Sequence, residues 1–370
     1  MKLSLYKKLL ATTLLLLLLL LPASSMIFLV NSPFSVQPMF SIVWITDTQH
    51  MSERFPQNFD SLCNWIVDYS EILNIKAVIH TGDIVEHPES IVEWNRASHS
   101  ISILLKNNIP YCWDAGNHDQ LGTSWYGKHF QALDTKIMSG QNYWISDILD
   151  GKNTALYFRA SNWDFLVINM EFHPTCEVMS WANQLIERHP TCHTIIATHA
   201  YLNGIGEYED WDHSYEQKYF EEKVLASHSN VFLTLNGHFM DGNRTSRTFT
   251  GNRHELFFNY QHTGGEGDAT LRILTFSKEE DAIFVNTVNT VTNQFLTDPE
   301  NCFTLDIPFF EKSHTIENFT LSEKLNLTRY DAKEALSEVQ YFATCSTLTL
   351  LFLVTSLLLI KRKTRKTPKC

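Results

Sequence analysis

Five short stretches of this sequence carry residue types that can hold divalent metal ions. They are TDTQH (46–50), HTGDIVEH (80–87), AGNHDQ (115–120), ATHAYL (197–202) and NGHFMD (236–241). Asp47, Gln49, Asp83 and Asn117 offer hard oxygen donors, and His199 and His238 offer nitrogen. That mixture suits a site for two divalent ions. Gly82 and Gly116 stand directly before Asp83 and Asn117, where a sharp turn lets a short side chain point inward. His118 beside Asp119 is a candidate proton donor with an orienting carboxylate. Each residue alone has an ordinary explanation: an Asp after a strand is usually a turn residue or a helix cap, and His118 alone could be a turn histidine. Five such clusters in one chain make the case for a site.

Each cluster follows an apolar run rich in β-branched and aromatic residues. FSIVWIT (40–46), IKAVIHT (75–81), IPYCWDA (109–115), HTIIATH (193–199) and VFLTL (231–235) read as strands. Residues 57–74 place Phe59, Leu62, Ile66, Tyr69 and Leu73 at helical spacing, and 89–107 reads as a second helix. The resulting β-α-β-α-β order implies parallel strands in one sheet with helices covering it. Further strands are expected at 154–160 and 164–170, helices at 178–188 and 215–227, and short strands near 246–250, 254–260, 270–276 and 282–289. Trp44, Trp65 and Trp94 read as core. With no composition break between 40 and 305, the expected fold is one α/β domain of two sheets flanked by helices. In such sheets, ligand sites gather beyond the carboxyl ends of the strands, where all five clusters lie.

In this order the motifs resemble the calcineurin-like metallophosphoesterase superfamily. Its pattern is Asp-X-His, Gly-Asp, Gly-Asn-His-Asp/Glu, a lone His and Gly-His-X-His. This chain reads Asp47-Thr-Gln49, Gly82-Asp83, Gly116-Asn117-His118-Asp119, His199 and Gly237-His238-Phe-Met240. The likeness covers about residues 40–305 and implies an αββα fold in which a two-sheet β-sandwich is flanked by helices. More locally the chain resembles a membrane-anchored or secreted subgroup with Asp-Thr-Gln in the first block, in which the last histidine is often absent. The resemblance implies that Asp83 bridges two ions (Mn, Fe, Zn or Mg). Asp47 and Gln49 would complete one, and Asn117, His199 and His238 the other. A dinuclear-metal hydroxide would then attack phosphorus, while His118, oriented by Asp119, protonates the leaving group.

Two positions depart from the pattern, Gln49 and Met240, and both thin the same metal's ligand set. A neutral, soft thioether is a poor ligand for a hard ion. Asp241 and His262 are candidates to replace it, on ligand type alone. His50 and His80 read as histidines satisfied by local partners. Glu171 reads as a surface or capping residue, with a supporting role behind the ligands as the other reading. Arg244 and Arg247 read as solvated loop residues, with a phosphate contact as the other reading. The function implied is metal-dependent hydrolysis of a phosphate mono- or diester, on a small molecule or a lipid. The alternative is a weak or inactive scaffold acting as a binding module, which would have no need of a leaving-group acid.

The ends of the 370-residue chain carry further information. Lys2, Lys7 and Lys8 precede an apolar run, then Pro22 and small residues, the order of a secretory signal peptide over 1–25; an uncleaved anchor reaching residue 30 is the rival reading. After the 40–308 domain, residues 309–341 are polar and read as a stalk. Residues 342–360 carry no charge, and at about 1.5 Å per residue they nearly cross a bilayer core of about 30 Å. The basic tail 361–370 reads as a cytoplasmic flank, which leaves the domain outside the cytoplasm. Sequons at Asn243, Asn318 and Asn326 fit that placement. The formal net charge of −12 argues against a nucleic-acid partner. Of the seven cysteines, Cys176 and Cys192 form the first pair to test as a disulfide.

Overall fold

The computed structural model describes residues 39–307, apart from 122–123, 126, 210–213, 241–242 and 263–267. In chain order its elements are β1 (Phe40–Ile45), α1 (Gln49–Glu53), α2 (Pro56–Tyr69), β2 (Ile75–Thr81), α3 (Ile91–Lys106), β3 (Tyr111–Asp114), the two-residue strands β4 (Gln120–Leu121) and β5 (Ser124–Trp125), α4 (Thr135–Met138), β6 (Trp144–Ile148), β7 (Asn153–Ala160), β8 (Trp163–Met170), α5 (Cys176–Arg188), β9 (His193–Thr198), α6 (Ser214–Tyr219), β10 (Val231–Asn236), β11 (Thr245–Thr250), β12 (Arg253–Phe258), β13 (Thr270–Ser277), β14 (Ala282–Asn289), β15 (Gln294–Leu296) and β16 (Cys302–Asp306). Helix α6 runs on into a wider π-helical turn, Phe220–Leu225.

Fourteen strands share one hydrogen-bonded sheet. It holds two parallel blocks. One is β1-β2-β3, as the β-α-β-α-β pattern requires. The other is β8-β9-β10-β12. Antiparallel β7 joins them and meets β3 through a single pair, Asp114 opposite Asn153. On the far side β1 continues into antiparallel β13 and β14. The sheet doubles over on itself. Phe40 of β1 stacks on Phe276 of its neighbour β13 (4.8 Å between ring centroids), and it also meets Phe165 of distant β8 at 5.3 Å. Trp44 of β1 meets Phe258 of β12 at 5.3 Å, although β1 and β12 lie far apart along the sheet. The two sheets expected from sequence are therefore two layers of one sheet.

Strand alternation sorts the core. On β8, Phe165 and Val167 face the space between the layers. Leu166, Ile168 and Met170 face outward and pack with Val178, Met179, Ala182, Leu185 and Ile186 of α5. Helix α2 buries Phe59, Leu62, Cys63, Ile66 and Tyr69, a stripe at the spacing of one helical face. It ends at Tyr69, earlier than the apolar pattern to 74 suggests, because Asn74 turns into the left-handed region (φ 50°) to enter β2. Helix α3 starts at Ser90, whose hydroxyl accepts the Glu93 N–H at 3.3 Å. Trp44, Trp65 and Trp94 are buried, as expected.

All five described cysteines are free thiols, which corrects the Cys176–Cys192 pairing. Helix α5 begins at Cys176 and Cys192 lies beyond its other end. A helix of 13 residues puts about 20 Å between its ends, against the roughly 7 Å limit between Cα atoms of a disulfide. No helix among the described residues is long and apolar enough to cross a membrane. The signal segment 1–25, the stalk 309–341, the span 342–360 and the tail 361–370 lie outside the described residues.

Candidate metal centre

Asp47, Asp83, Asn117, His199 and His238 each follow the C-terminal end of a parallel strand: β1, β2, β3, β9 and β10 respectively. Three of them, Asp47 (φ 51°), Asp83 (φ 53°) and His238 (φ 75°), hold left-handed backbone. Few non-glycine residues adopt it, and those that do concentrate at functional sites. The loops are tied to one another through the acidic side chains. The His238 N–H donates to both Asp47 carboxylate oxygens (3.2 and 3.1 Å). The His118 N–H donates to Asp83 Oδ1 at 2.9 Å. Two glycines allow this closeness: a Cβ at Gly116 would overlap Asp83 Oδ1, and one at Gly237 would overlap Asp47 Oδ2.

One half of the centre is rich in nitrogen. His199 is fully buried, and its Nδ1 lies 2.8 Å from the Thr81 carbonyl, which accepts its proton. That contact turns the lone pair of Nε2 toward the site. Around Nε2 lie Asp83 Oδ2 at 3.3 Å, Asn117 Oδ1 at 3.1 Å and His238 Nδ1 at 3.1 Å. Such a gathering of oxygen and nitrogen atoms around one ring nitrogen suits a cation, either a proton or a metal ion. Burial opposes a charge on His199, yet Asp83, with help from Asp47, outweighs it and raises the pKa to about 10. Burial and the neighbouring His199 depress His238 to about 3. The ligand atoms of Asp83, His199 and His238 all fall within 4.8 Å of one another. The residues present therefore fit a divalent ion.

The other half is rich in oxygen. Gln49 Nε2 donates to Asp83 Oδ2 at 3.2 Å, and Gln261 Nε2 donates to Asp47 Oδ1 at 3.4 Å. Both glutamine Oε1 atoms are buried without a hydrogen-bond partner. Asp47 is buried, and Thr46 Oγ1 donates to its Oδ2 at 2.5 Å. Burial, opposed by His199 and reinforced by Asp83, pushes its pKa up to about 7. Met240 is 52% exposed, and its sulfur lies 2.7 Å from His262 Nε2. Of the two replacement candidates, His262 thus engages Met240, while Asp241 lies outside the described residues.

His118 lies beside Asp83, but no hydrogen bond links it to Asp119. The Asp119 carboxylate is fully buried and accepts three backbone N–H groups, from Ile84 (2.8 Å), Val85 (3.0 Å) and Gly116 (2.8 Å). It clamps the Asp83 loop to the Asn117 loop. Beside His118 Nδ1 are the Glu86 carbonyl at 3.2 Å and the Glu86 Oε2 carboxylate atom at 3.4 Å. Burial lowers the His118 pKa, but Asp83 and Glu86 overcome it and the net shift is upward.

The neighbouring residues sort as follows. His50 bonds locally to Glu53 and Arg54. His80 is satisfied on one side only: Nε2 meets Thr48 Oγ1 at 2.9 Å, and Nδ1 is buried without a partner. Glu171 is neither a surface nor a capping residue. It is buried in an ion pair with Lys152 Nζ at 3.4 Å, and Lys152 also donates to Gln120 just beyond the Asn117 loop. Arg247 lies over the Phe303 ring and donates to the Pro299 carbonyl. Arg244 donates to the Met240 carbonyl. Gln261, Glu86, Asp114 and Phe172 escaped notice in the sequence. Buried Asp114 lies close to Gly82 beneath the centre, and burial pushes its carboxyl well above the usual range. The Phe172 ring packs 5.1 Å from His238 and 5.9 Å from His199. Only Gln261 had a usable signal, since it follows parallel strand β12 as the other candidates follow theirs.

A doubled α/β sheet whose strand ends bring Asp, Asn and His side chains together at one edge is the arrangement expected of the calcineurin-like fold. The sequence profile of the calcineurin-like phosphoesterase family matches residues 40–260, and the chain belongs to that family. It is 32% identical over 266 residues to the uncharacterized protein YvnB of Bacillus subtilis (strain 168), which covers 67% of this chain and 20% of that protein. The chain thus spans about a fifth of that relative's length. Among solved structures it is similar to a purple acid phosphatase from yellow lupin (Lupinus luteus) seeds, with 12% identity, 76% of this chain and 58% of that chain covered, and a TM-score of 0.47. It is also similar to a dimetal phosphatase from Danio rerio, with 13% identity, coverage of 72% and 98%, and a TM-score of 0.48.

Proposed function

We propose that this chain hydrolyses a phosphate mono- or diester, on a small molecule or a lipid, with two divalent ions held by Asp47, Gln49, Asp83, Asn117, His199 and His238. Asp83 stands between the two halves: its Oδ2 is the oxygen that both Gln49 and His199 approach. Bound divalent ions would supply acidified water and positive charge facing the phosphoryl oxygens. The protein does the rest. Thr81 holds the His199 tautomer, so that Nε2 presents a lone pair. Asp119 locks the two ligand loops together through three backbone N–H groups. His118 keeps Nδ1 against Glu86, which leaves its Nε2 as the atom that gives a proton to the departing oxygen. Phe172 packs against both ligand histidines, limiting their movement and the entry of water.

The observation that carries this reading is His199 Nε2 encircled by three lone-pair donors at 3.1–3.3 Å. The test is turnover by the full-length chain of aryl phosphate mono- and diesters with Mn²⁺, Mg²⁺, Zn²⁺ or Fe²⁺, before and after chelation. Activity that chelator removes and metal restores is the expected result. Absence of turnover with every ion on both ester types overturns the hydrolase reading in favour of a binding module. Retention of His118 with its Glu86 partner weighs against such a module, which needs no proton donor.

The chain is further proposed to act outside the cytoplasm, tethered through residues 342–360, with no nucleic-acid partner. Exposure of Asn243 supports this, since a glycan requires an accessible sequon. A mobility shift of the full-length chain on deglycosylation, together with protection of the domain from protease in sealed vesicles, tests the placement. Protease cleavage of the domain from the cytoplasmic side overturns it.

A further inference from the structure

The oxygen-rich half of the centre lacks the imidazoles that His-for-Gln49 and His-for-Met240 would supply. Building on the dinuclear reading above, we propose that Gln261 is a ligand of this half. Its set is then Asp47, Gln49, Asp83 and Gln261, all oxygen, selective for hard divalent cations such as Mn²⁺ or Mg²⁺ over Zn²⁺.

Three observations converge on Gln261. First, it arrives by the same topology as the other ligands. Strand β12 runs parallel to β10 and ends at Phe258, and Gln261 lies three residues beyond. The turn is pinned, because the Gln261 N–H donates to Asn259 Oδ1 at 3.0 Å and the Asn259 N–H donates to the Arg244 carbonyl at 2.9 Å. Second, Gln261 is 5% exposed and its amide already touches Asp47 Oδ1. Third, its Oε1 has no partner, and neither has Oε1 of Gln49, which is 3% exposed. A buried amide oxygen left unsatisfied costs about 1–3 kcal/mol. Here the two amides lie against a pair of carboxylates, Gln261 on Asp47 and Gln49 on Asp83, each through its nitrogen. A hard cation between them satisfies both oxygens at once, and a turn of each amide about its last torsion presents oxygen in place of nitrogen.

The competing donors fit less well. The Met240 thioether is soft, neutral and half exposed, and His262 Nε2 lies against its sulfur.

The test is Mn²⁺ titration of the metal-stripped, full-length chain, read by bound stoichiometry and by paramagnetic resonance. That spectrum distinguishes a spin-coupled pair of ions from an isolated one. Wild type is expected to bind two equivalents as a coupled pair. Gln261→Leu is expected to weaken the second equivalent by about tenfold or more and to show the isolated-ion spectrum. Gln261→Glu, which keeps an oxygen ligand and adds charge, is expected to retain the coupled pair, and so is His262→Ala. Full retention of the pair in Gln261→Leu overturns the assignment. So does loss of the pair in Gln261→Glu, the decisive variant if Gln261→Leu fails to fold. A wild-type chain that binds a single equivalent overturns the Gln261 assignment alone. One that binds none overturns the hydrolase reading with it.

Discussion

Replacing Asp119 separates a structural clamp from a catalytic relay. Its carboxylate accepts the N–H groups of Ile84, Val85 and Gly116 at 2.8–3.0 Å, and the residue is wholly buried. Asp119→Ala leaves three buried donors without acceptors. At about 1–3 kcal/mol for each unsatisfied group, the loss is at least about 3 kcal/mol. Asp119→Asn keeps the acceptor that serves Ile84 and Val85 but turns an NH₂ group on the Gly116 N–H, so about 1–3 kcal/mol is expected. Burial and Asp83 push the Asp119 pKa up to about 7, so the comparison belongs above that pH, in chelator, where the carboxylate is ionised. Urea unfolding is the assay. With a slope near 3 kcal/mol per M, the alanine variant's midpoint should fall by about 1 M, and its metal affinity should fall with it, because both ligand loops are released. The reasoning is refuted if Asp119→Asn unfolds at the wild-type midpoint and loses activity only on esters with poor leaving groups. That outcome would make Asp119 the partner of His118 after all.

Three further outcomes follow from the same geometry. His118→Gln should slow esters with poor leaving groups by about 10²–10⁴-fold and good ones far less; equal losses on both would remove His118 from proton transfer. Glu86→Gln should move the alkaline limb of the pH–rate profile on poor leaving groups toward lower pH, because Glu86 helps raise the His118 pKa; an unmoved limb would deny the contact any role. His80, whose pKa burial and His199 depress to about 3, should govern part of the acid stability of the metal-free protein. The unfolded chain binds its proton near pH 6.5, whereas the folded chain resists until about 3. Stability should therefore fall as pH drops through that window, by up to about 5 kcal/mol. His80→Gln should flatten the slope, and an unchanged slope would show that other groups carry it.

Much of this candidate centre is legible in the sequence because its residues obey a local rule. An apolar strand that ends in a short polar side chain delivers that side chain to one edge of a parallel sheet, and Asp47, Asp83, Asn117, His199 and His238 all follow it. The rule failed where a residue's job depends on a partner from another loop. Asp119 is adjacent to His118 in the chain, yet its carboxylate reaches the Ile84 and Val85 amides, and it is Glu86 that meets the imidazole. Glu171 looked like a surface residue because its counter-ion Lys152 is close only across the β7–β8 pairing. Gln261 obeys the strand-end rule as well, following β12, but an amide is a less familiar metal ligand than the imidazole of its neighbour His262.

By itself the sequence determined the strand-helix order, the buried faces and the family, because these rest on periodicity and on contiguous motifs. Only the tertiary structure decided that the two sheets are one sheet doubled through the Asp114–Asn153 pair, and that Met240 turns to His262 at the rim. Only the fold placed two glutamine amides, each with an unsatisfied oxygen, against Asp47 and Asp83. The physical reason is one of range. Propensity and periodicity act over a few residues, whereas burial, charge and the satisfaction of lone pairs depend on groups that meet only when the chain has closed on itself.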